Sequence, residues 1–223
     1  MPQNNRKISN KDNAMNFYGN KICFIGAHPD DIELGCGALI ASLKDKAKIT
    51  CVTLSDNQKN PSLNNLVNEH HASMNMLGVP DGNVILEAFE TRCFPAQRQD
   101  ILEYFIKLNK SLNPDVVFVH TRADLHQDHN TVTEEALRAF RGISVLGFDV
   151  IRSSYGFFPN LLVQVTEEDV KQKIAALAKY TTYADKYYFN PEVTCATLIR
   201  NGALCEKQYA EGFETLRITG TFQ

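Results

Sequence analysis

Hydrophobic positions along this chain follow two rhythms. Short unbroken apolar runs at 21–27 (KICFIGA), 47–55 (AKITCVTLS), 83–87 (NVILE) and 115–121 (DVVFVHT) are rich in β-formers. Such runs read as strands buried on both faces. Between them, 36–45, 65–78, 96–109 and 129–140 read as helices; 96–109 sets Ile101, Leu102, Phe105 and Leu108 on one face. Gly78 is placed as a helix C-cap, and Pro114 breaks the chain before the fourth strand. This alternation over the first 140 residues predicts βαβ units and a mostly parallel sheet. The last third is less regular, with a strand at 160–166 and helices at 167–180 and 192–210. With no repeat, low-complexity tract or linker, residues 21–223 are expected to form one Rossmann-like α/β domain, preceded by a polar extension at 1–20.

Composition narrows the partners. The net charge of −3, at 43% hydrophobic and 22% charged residues, is ordinary for a globular chain and gives no reason to expect nucleic acid or an anionic membrane surface. No apolar stretch approaches the roughly 18 residues that span a bilayer. The first twenty residues lack the apolar core of a secretory signal. Six cysteines are scattered without a C-x-x-C pair, which fits small hydrophobes in a reduced, cytoplasmic setting. Self-association is left open.

Ligands bind outside the carboxyl ends of strands in open parallel sheets. That rule gathers three polar turns at one rim: His28-Pro29-Asp30-Asp31, Ser55-Asp56, and the stretch HTRADLHQDH at 120–129. The last holds three of the six histidines and two aspartates. A catalytic zinc site takes three protein ligands and leaves a position for water, whose pKa falls to about 7. It also needs a free carboxylate as base and a donor for the oxyanion. Adjacent aspartates beside a histidine, and a His-x-x-His pair opening a helix, can divide those tasks.

The segment AHPDDIELGCG (27–37), together with NPDVVFVHTRADLHQDHNTV (113–132), resembles the PIG-L/LmbE family of metal-dependent N-deacetylases. The similarity continues through LGFD (146–149), KIAALAKY (173–180) and YAEGFETLR (209–217). The resemblance implies an LmbE-like fold and removal of an N-acetyl group from an amino sugar or sugar conjugate. It makes His28, Asp31 and His129 metal ligands, Asp30 the general base, His126 the oxyanion stabiliser and Asp128 the carboxylate that partners His126. Zinc is the default ion, with ferrous iron or manganese as alternatives. Other amides or esters as substrates, and a non-catalytic metal- or sugar-binding module, are the competing readings.

This chain departs from its relatives at Leu125, where many carry arginine before the HxDH, at Asn64–Asn68, where a sugar-binding arginine has no equivalent, and in the loop SYGFFPN (154–160). Each leaves the hydrolytic core intact. The remaining residues have plainer structural readings. Asp30 and Asp31 could merely cap a helix. Gly35-x-Gly37 lacks the third glycine of a dinucleotide fingerprint and suits tight helix–strand packing. Glu33 is assigned to the loop backbone, His70 and His71 to solvent or core, and Arg200 to structure. His120 and Asp124 stand between pocket and structure, with Asp124 leaning to a cap. Arg92 and Arg98 are candidate hydroxyl or phosphate contacts or plain surface charges.

Overall fold

The structure is a computed structural model that describes residues 21–57 and 59–220, so the expected extension at 1–20 lies outside the described residues. Seven strands form one sheet: β1 (Lys21–Gly26), β2 (Lys48–Thr53), β3 (Val84–Leu86), β4 (Val116–His120), β5 (Ser144–Phe148), β6 (Leu161–Gln164) and β7 (Ala210–Arg217). Their order is β3-β2-β1-β4-β5-β7-β6. The first five run parallel, and β7 pairs antiparallel with both β5 and β6. Among the described residues six α-helices flank the sheet: α1 (Asp31–Leu43), α2 (Leu66–Met76), α3 (Arg98–Leu112), α4 (Gln127–Ala139), α5 (Glu167–Leu177) and α6 (Pro191–Leu204). Among the described residues no helix is long and apolar enough to cross a membrane.

The three layers follow from strand alternation. Ile22 and Phe24 of β1, with Phe118, Leu146 and Phe148, pack against α1, α2 and α5. Cys23 and Ile25, with Val117, Val119 and Val145, pack against Ile101 and Phe105 of α3 and Val132 of α4. A sheet covered on both faces needs strands apolar at every position, the pattern that made β1, β2 and β4 visible in the sequence. Cys23, Cys36 and Cys51 are buried free thiols, and burial pushes the Cys23 thiol up to about 12, so they pack rather than react.

The structure differs from expectation at four elements. Helix α1 begins at Asp31 rather than 36, so the acidic pair opens the helix. Strands β5 and β7 have no counterpart among the expected strands; both fall in segments quoted only for the family resemblance. Helix α6 ends at Leu204 instead of 210.

Gly35 and Gly37 serve packing. A Cβ on Gly35 would lie 2.3 Å from a ring carbon of Phe148, and one on Gly37 would lie 2.9 Å from Lys173 Cγ. The close approach lets a buried ion pair dock on α1. Lys173 Nζ donates to Glu211 Oε1 and to the Leu34 carbonyl, both at 2.7 Å. Glu211 in turn accepts the amides of Ala38 at 3.0 Å and Leu39 at 2.8 Å.

A small cavity of about 40 Å³ adjoins this pair and is lined in part by Asp149, whose Oδ1 is buried without a hydrogen-bond partner among the described residues. Burial pushes the Asp149 carboxyl up to about 6, offset in part by the Ser154 hydroxyl. A raised folded-state pKa favours the protonated form, so its contribution is fully present below the unfolded value near 4 and is lost as pH rises through about 6. Asp149→Asn is therefore expected to raise the melting temperature by several degrees at pH 7 and to change it little at pH 4, with two pKa units worth roughly 3 kcal/mol. Thermal unfolding at both pH values checks this; an equal effect at the two would refute it.

Candidate metal centre at the switch point

The chain leaves β1 toward β2 on one side, and the sheet continues through β4 and β5 on the other. A crevice opens beyond the carboxyl ends of β1 and β4 where the order reverses. The β1–α1 turn delivers His28, Asp30 and Asp31 to that crevice, and the β4–α4 loop delivers Asp124, His126, Asp128 and His129. All but the half-buried His126 are buried.

Three atoms converge. His28 Nδ1 lies 3.4 Å from Asp31 Oδ2, Asp31 Oδ2 lies 3.4 Å from His129 Nε2, and His129 Nε2 lies 3.3 Å from His28 Nδ1. Ligands held about 2.1 Å from a tetrahedral ion lie about 3.4 Å apart, so this near-equilateral triangle fits one divalent cation on one face. The far nitrogen of each histidine meets a carboxylate: His28 Nε2 meets Asp128 Oδ2 at 3.0 Å, and His129 Nδ1 meets Asp124 Oδ2 at 2.8 Å. Those bonds fix which nitrogen faces inward, the outer-shell arrangement that metal-binding histidines need. The His28 main-chain N–H also donates to Asp31 Oδ2 at 2.8 Å, fixing that carboxylate.

Two further histidines flank the triangle. His120 stacks on His129 with ring centroids 3.8 Å apart, and His126 stacks on its other face at 4.4 Å. Both can be grouped with the cluster by distance. One ring nitrogen of each is already engaged, however. His120 Nε2 accepts the Ala27 amide at 3.1 Å, and His126 Nδ1 accepts the Asp128 amide at 3.2 Å. The latter bond makes His126 the N-cap of α4 and leaves its proton on Nε2.

The Asp128 carboxylate was expected to partner His126, and here the geometry corrects the reading. Only the Asp128 amide touches His126; the carboxylate bonds His28 and accepts the amides of Arg92 at 2.6 Å and Phe94 at 3.3 Å. Side chains two apart at a helix start point to different faces, so sequence adjacency misassigned the pair. Asp124 does cap, accepting the His126 amide at 2.8 Å, but its second oxygen holds His129, a role the sequence did not disclose. Glu33 bonds no loop backbone. It accepts from Tyr180 at 2.5 Å and His70 at 3.2 Å, and His70 reaches Thr53 at 3.2 Å, a fully buried network beneath the acidic turn. Arg98 pairs with Glu134 and Glu135, away from the crevice.

Electrostatics separate the two aspartates. Asp31 is held well below the usual carboxylate range because His129, His120 and His28 outweigh the burial that would raise it. Asp30 is pushed well above that range by burial first, then by Asp31 and Glu33. Burial, then His129 and His28, lower His126 to about 4, so it is a neutral imidazole near pH 7. Burial opposes protonation of His28, but Asp128 and Asp31 outweigh it and raise the imidazole to about 9. Asp30 also carries a strained backbone, φ 102, just before α1. Non-glycine residues hold such angles where the surroundings over-determine them, and they gather at functional sites. A pocket of about 350 Å³ opens onto His28, Asp30, Asp31, His126 and His129.

The fold and the donor set define a three-layer α/β protein with a candidate metal centre at its switch point. The chain belongs to the PIG-L family, described as GlcNAc-PI de-N-acetylase, whose model matches residues 23–140. It is 34% identical over 181 residues, 76% of this chain and 96% of the relative, to a protein of Escherichia coli (strain K12) described as the uncharacterized deacetylase YaiS. Its fold is similar to that of the N,N'-diacetylchitobiose deacetylase from Pyrococcus horikoshii (TM-score 0.69, 19% identity, 90% of this chain and 86% of that one). A similar fold is seen in the zinc-inhibited form of the teicoplanin deacetylase Orf2 (TM-score 0.71, 15% identity, 86% and 96%).

Proposed function

We propose that the protein is a metal-dependent hydrolase that removes the N-acetyl group from an amino sugar or sugar conjugate. The family, the deacetylase description of the Escherichia coli relative and the activities named for the two structural neighbours support the reaction class. The observation that carries the chemistry is the triangle of His28, Asp31 and His129 with the Asp30 carboxyl in the same pocket.

Those three residues would hold the ion; two imidazoles and a carboxylate suit zinc, and ferrous iron or manganese accept the same set. A divalent ion there supplies Lewis-acid polarisation of the amide carbonyl and acidifies water. Asp30 takes the proton from the attacking water, the role of a carboxylate beside the ion that is not one of its ligands. The Nε2–H of neutral His126 donates to the carbonyl oxygen as it gains charge, held in place by the α4 cap rather than by a carboxylate. As the carbon–nitrogen bond breaks, the proton on Asp30 passes to the departing nitrogen. Acetate and a free amine result.

Mass spectrometry of the metal-loaded protein with a panel of N-acetylated sugars and nucleotide sugars tests this. At least one member should lose an acetyl group with release of equimolar acetate. Silence across the panel from folded, metal-loaded protein would sink the reading. A second test isolates the outer carboxylate on His129: Asp124→Ala is expected to weaken zinc binding by about 10- to 100-fold. Competition against a chromophoric chelator measures it, and wild-type affinity would remove His129 from the ligand set.

A further inference from the structure

The carboxylate behind His28 is held from a distant stretch of chain. Asp128 lies in the first turn of α4, and its side chain is fully buried. Besides His28 it takes two main-chain donors, one on each oxygen: the Arg92 amide at 2.6 Å and the Phe94 amide at 3.3 Å. The backbone between these donors alternates in hand, with Arg92 left-handed at φ 68 and Cys93 at φ −115, ψ 5. Successive residues of opposite hand turn their N–H groups to one side and make a concavity for an anion. Residues 92–94 are such a nest, and the anion inside it is Asp128.

A left-handed arginine persists only where its surroundings over-determine it. One constraint comes from α4 itself. The Gln127 side chain donates through Nε2 to the Arg92 carbonyl. Helix α4 therefore grips the nest twice, with Asp128 accepting its amides and Gln127 donating to its carbonyl. Phe94 braces the far end: it is fully buried, and its ring stacks on His28 with centroids 5.8 Å apart. The Arg92 side chain lines the pocket, whereas Gln127 is exposed and lies outside the pocket lining. Amide donors suit the task because they add no net charge and fix both oxygens of the carboxylate. An imidazole backed by an ionised, oriented carboxylate is the better metal donor.

We propose that the 92–94 nest keeps Asp128 aimed at His28 for metal binding, and that Gln127 is the positioning residue that holds the nest closed. This rests on the metal-centre reading of His28, Asp31 and His129. It gives a task to the residue between His126 and Asp128, whose own side chain is not among the candidate ligands.

Zinc affinity tests this, measured against a chromophoric chelator with no substrate present. Gln127→Met removes the donor at similar length and is expected to weaken zinc binding about three- to tenfold, the worth of one hydrogen bond. Because Gln127 is exposed, the metal-free variant should melt within a few degrees of wild type. Placed in an Asp128→Asn background, the same substitution should cost less than about twofold, because the two side chains act through one nest. Arg92→Gly keeps the amide and adopts the left-handed angle at lower cost, so it should bind zinc as wild type does. Wild-type affinity in Gln127→Met, or an equal loss in the two backgrounds, overturns the proposal. A loss of about tenfold or more in Arg92→Gly would place the hold in the arginine side chain and overturn the nest. Wild-type affinity in Asp128→Asn alone would count against His28 as a ligand, and the nest's role would fall with it.

Discussion

Replacing Asp30 by Asn is expected to lower kcat by about 10²- to 10⁴-fold, the usual worth of a positioned general base, with KM little changed and metal still bound. Asparagine is the informative substitution because the backbone at this position has φ 102. Asn and Asp are the non-glycine residues most tolerant of positive φ, so the turn that presents His28 and Asp31 should survive. Alanine would add backbone strain to the loss of the base and confuse the two. The Asp30 carboxylate makes no cap bond to α1, so removing its charge costs the helix no side-chain partner. Acetate release gives the rate, and metal analysis of the purified variant gives occupancy. Turnover within a few-fold of wild type would remove Asp30 from the chemistry. Lost metal would mean that Asp30 belongs to the ligand set.

The second large effect is on stability. Lys173→Met should cost about 3–5 kcal/mol, the penalty for stranding one member of a buried ion pair. Lys173 is 5% exposed and Glu211 is 2% exposed, so water cannot take over the missing partner. Methionine fills the volume of the lysine stem packed on Gly37 but gives Glu211 and the Leu34 carbonyl no proton. For a chain of this size the loss corresponds to a melting temperature roughly 10 °C lower. The double variant Lys173→Met, Glu211→Gln should recover part of the loss, because the neutral amide leaves no bare charge and its one oxygen still accepts one of the two α1 amides. Urea unfolding followed by circular dichroism suits a protein with no tryptophan. A single variant within about 1 kcal/mol of wild type would show that the buried pair contributes little.

Strands β1 to β4 were legible because burial on both faces writes a continuous apolar run. Strands β5 and β7 escaped for opposite reasons. The five residues of β5, SVLGF, are too few to stand out from the turns on either side. Strand β7 reads AEGFETLR, whose glutamates look solvent-facing. Both are engaged: Glu211 with Lys173, and Glu214 with the Thr121 hydroxyl at 2.6 Å and the Arg122 amide at 2.9 Å. Helix α1 was placed too late because Gly35 and Gly37 depress helix propensity, and packing against Phe148 overrides that.

At the site, His28, Asp30, Asp31, His126, Asp128 and His129 do meet at one rim, as the strand-end rule required. Which carboxylate serves which histidine was not legible. Asp128 reaches His28 across 100 residues of sequence, and a contact of that kind is set by how β1 and α4 pack, not by local spacing. Asp124 was hidden by the same logic, since its cap role was visible and its grip on His129 was not.

The strand order has a consequence for how the molecule is made. Strand β7 follows all the other strands in sequence, yet it lies inside the sheet, between β5 and β6. Until it arrives, β5 presents a bare edge and β6 has no strand to pair with. During synthesis from the N-terminus, the first five strands can assemble while that edge stays open to other nascent chains. The hazard ends when residues 210–217 insert, and the same event delivers Glu211 to Lys173 and α1. Closing the sheet and fastening the helix that carries Asp31 are thus one folding event.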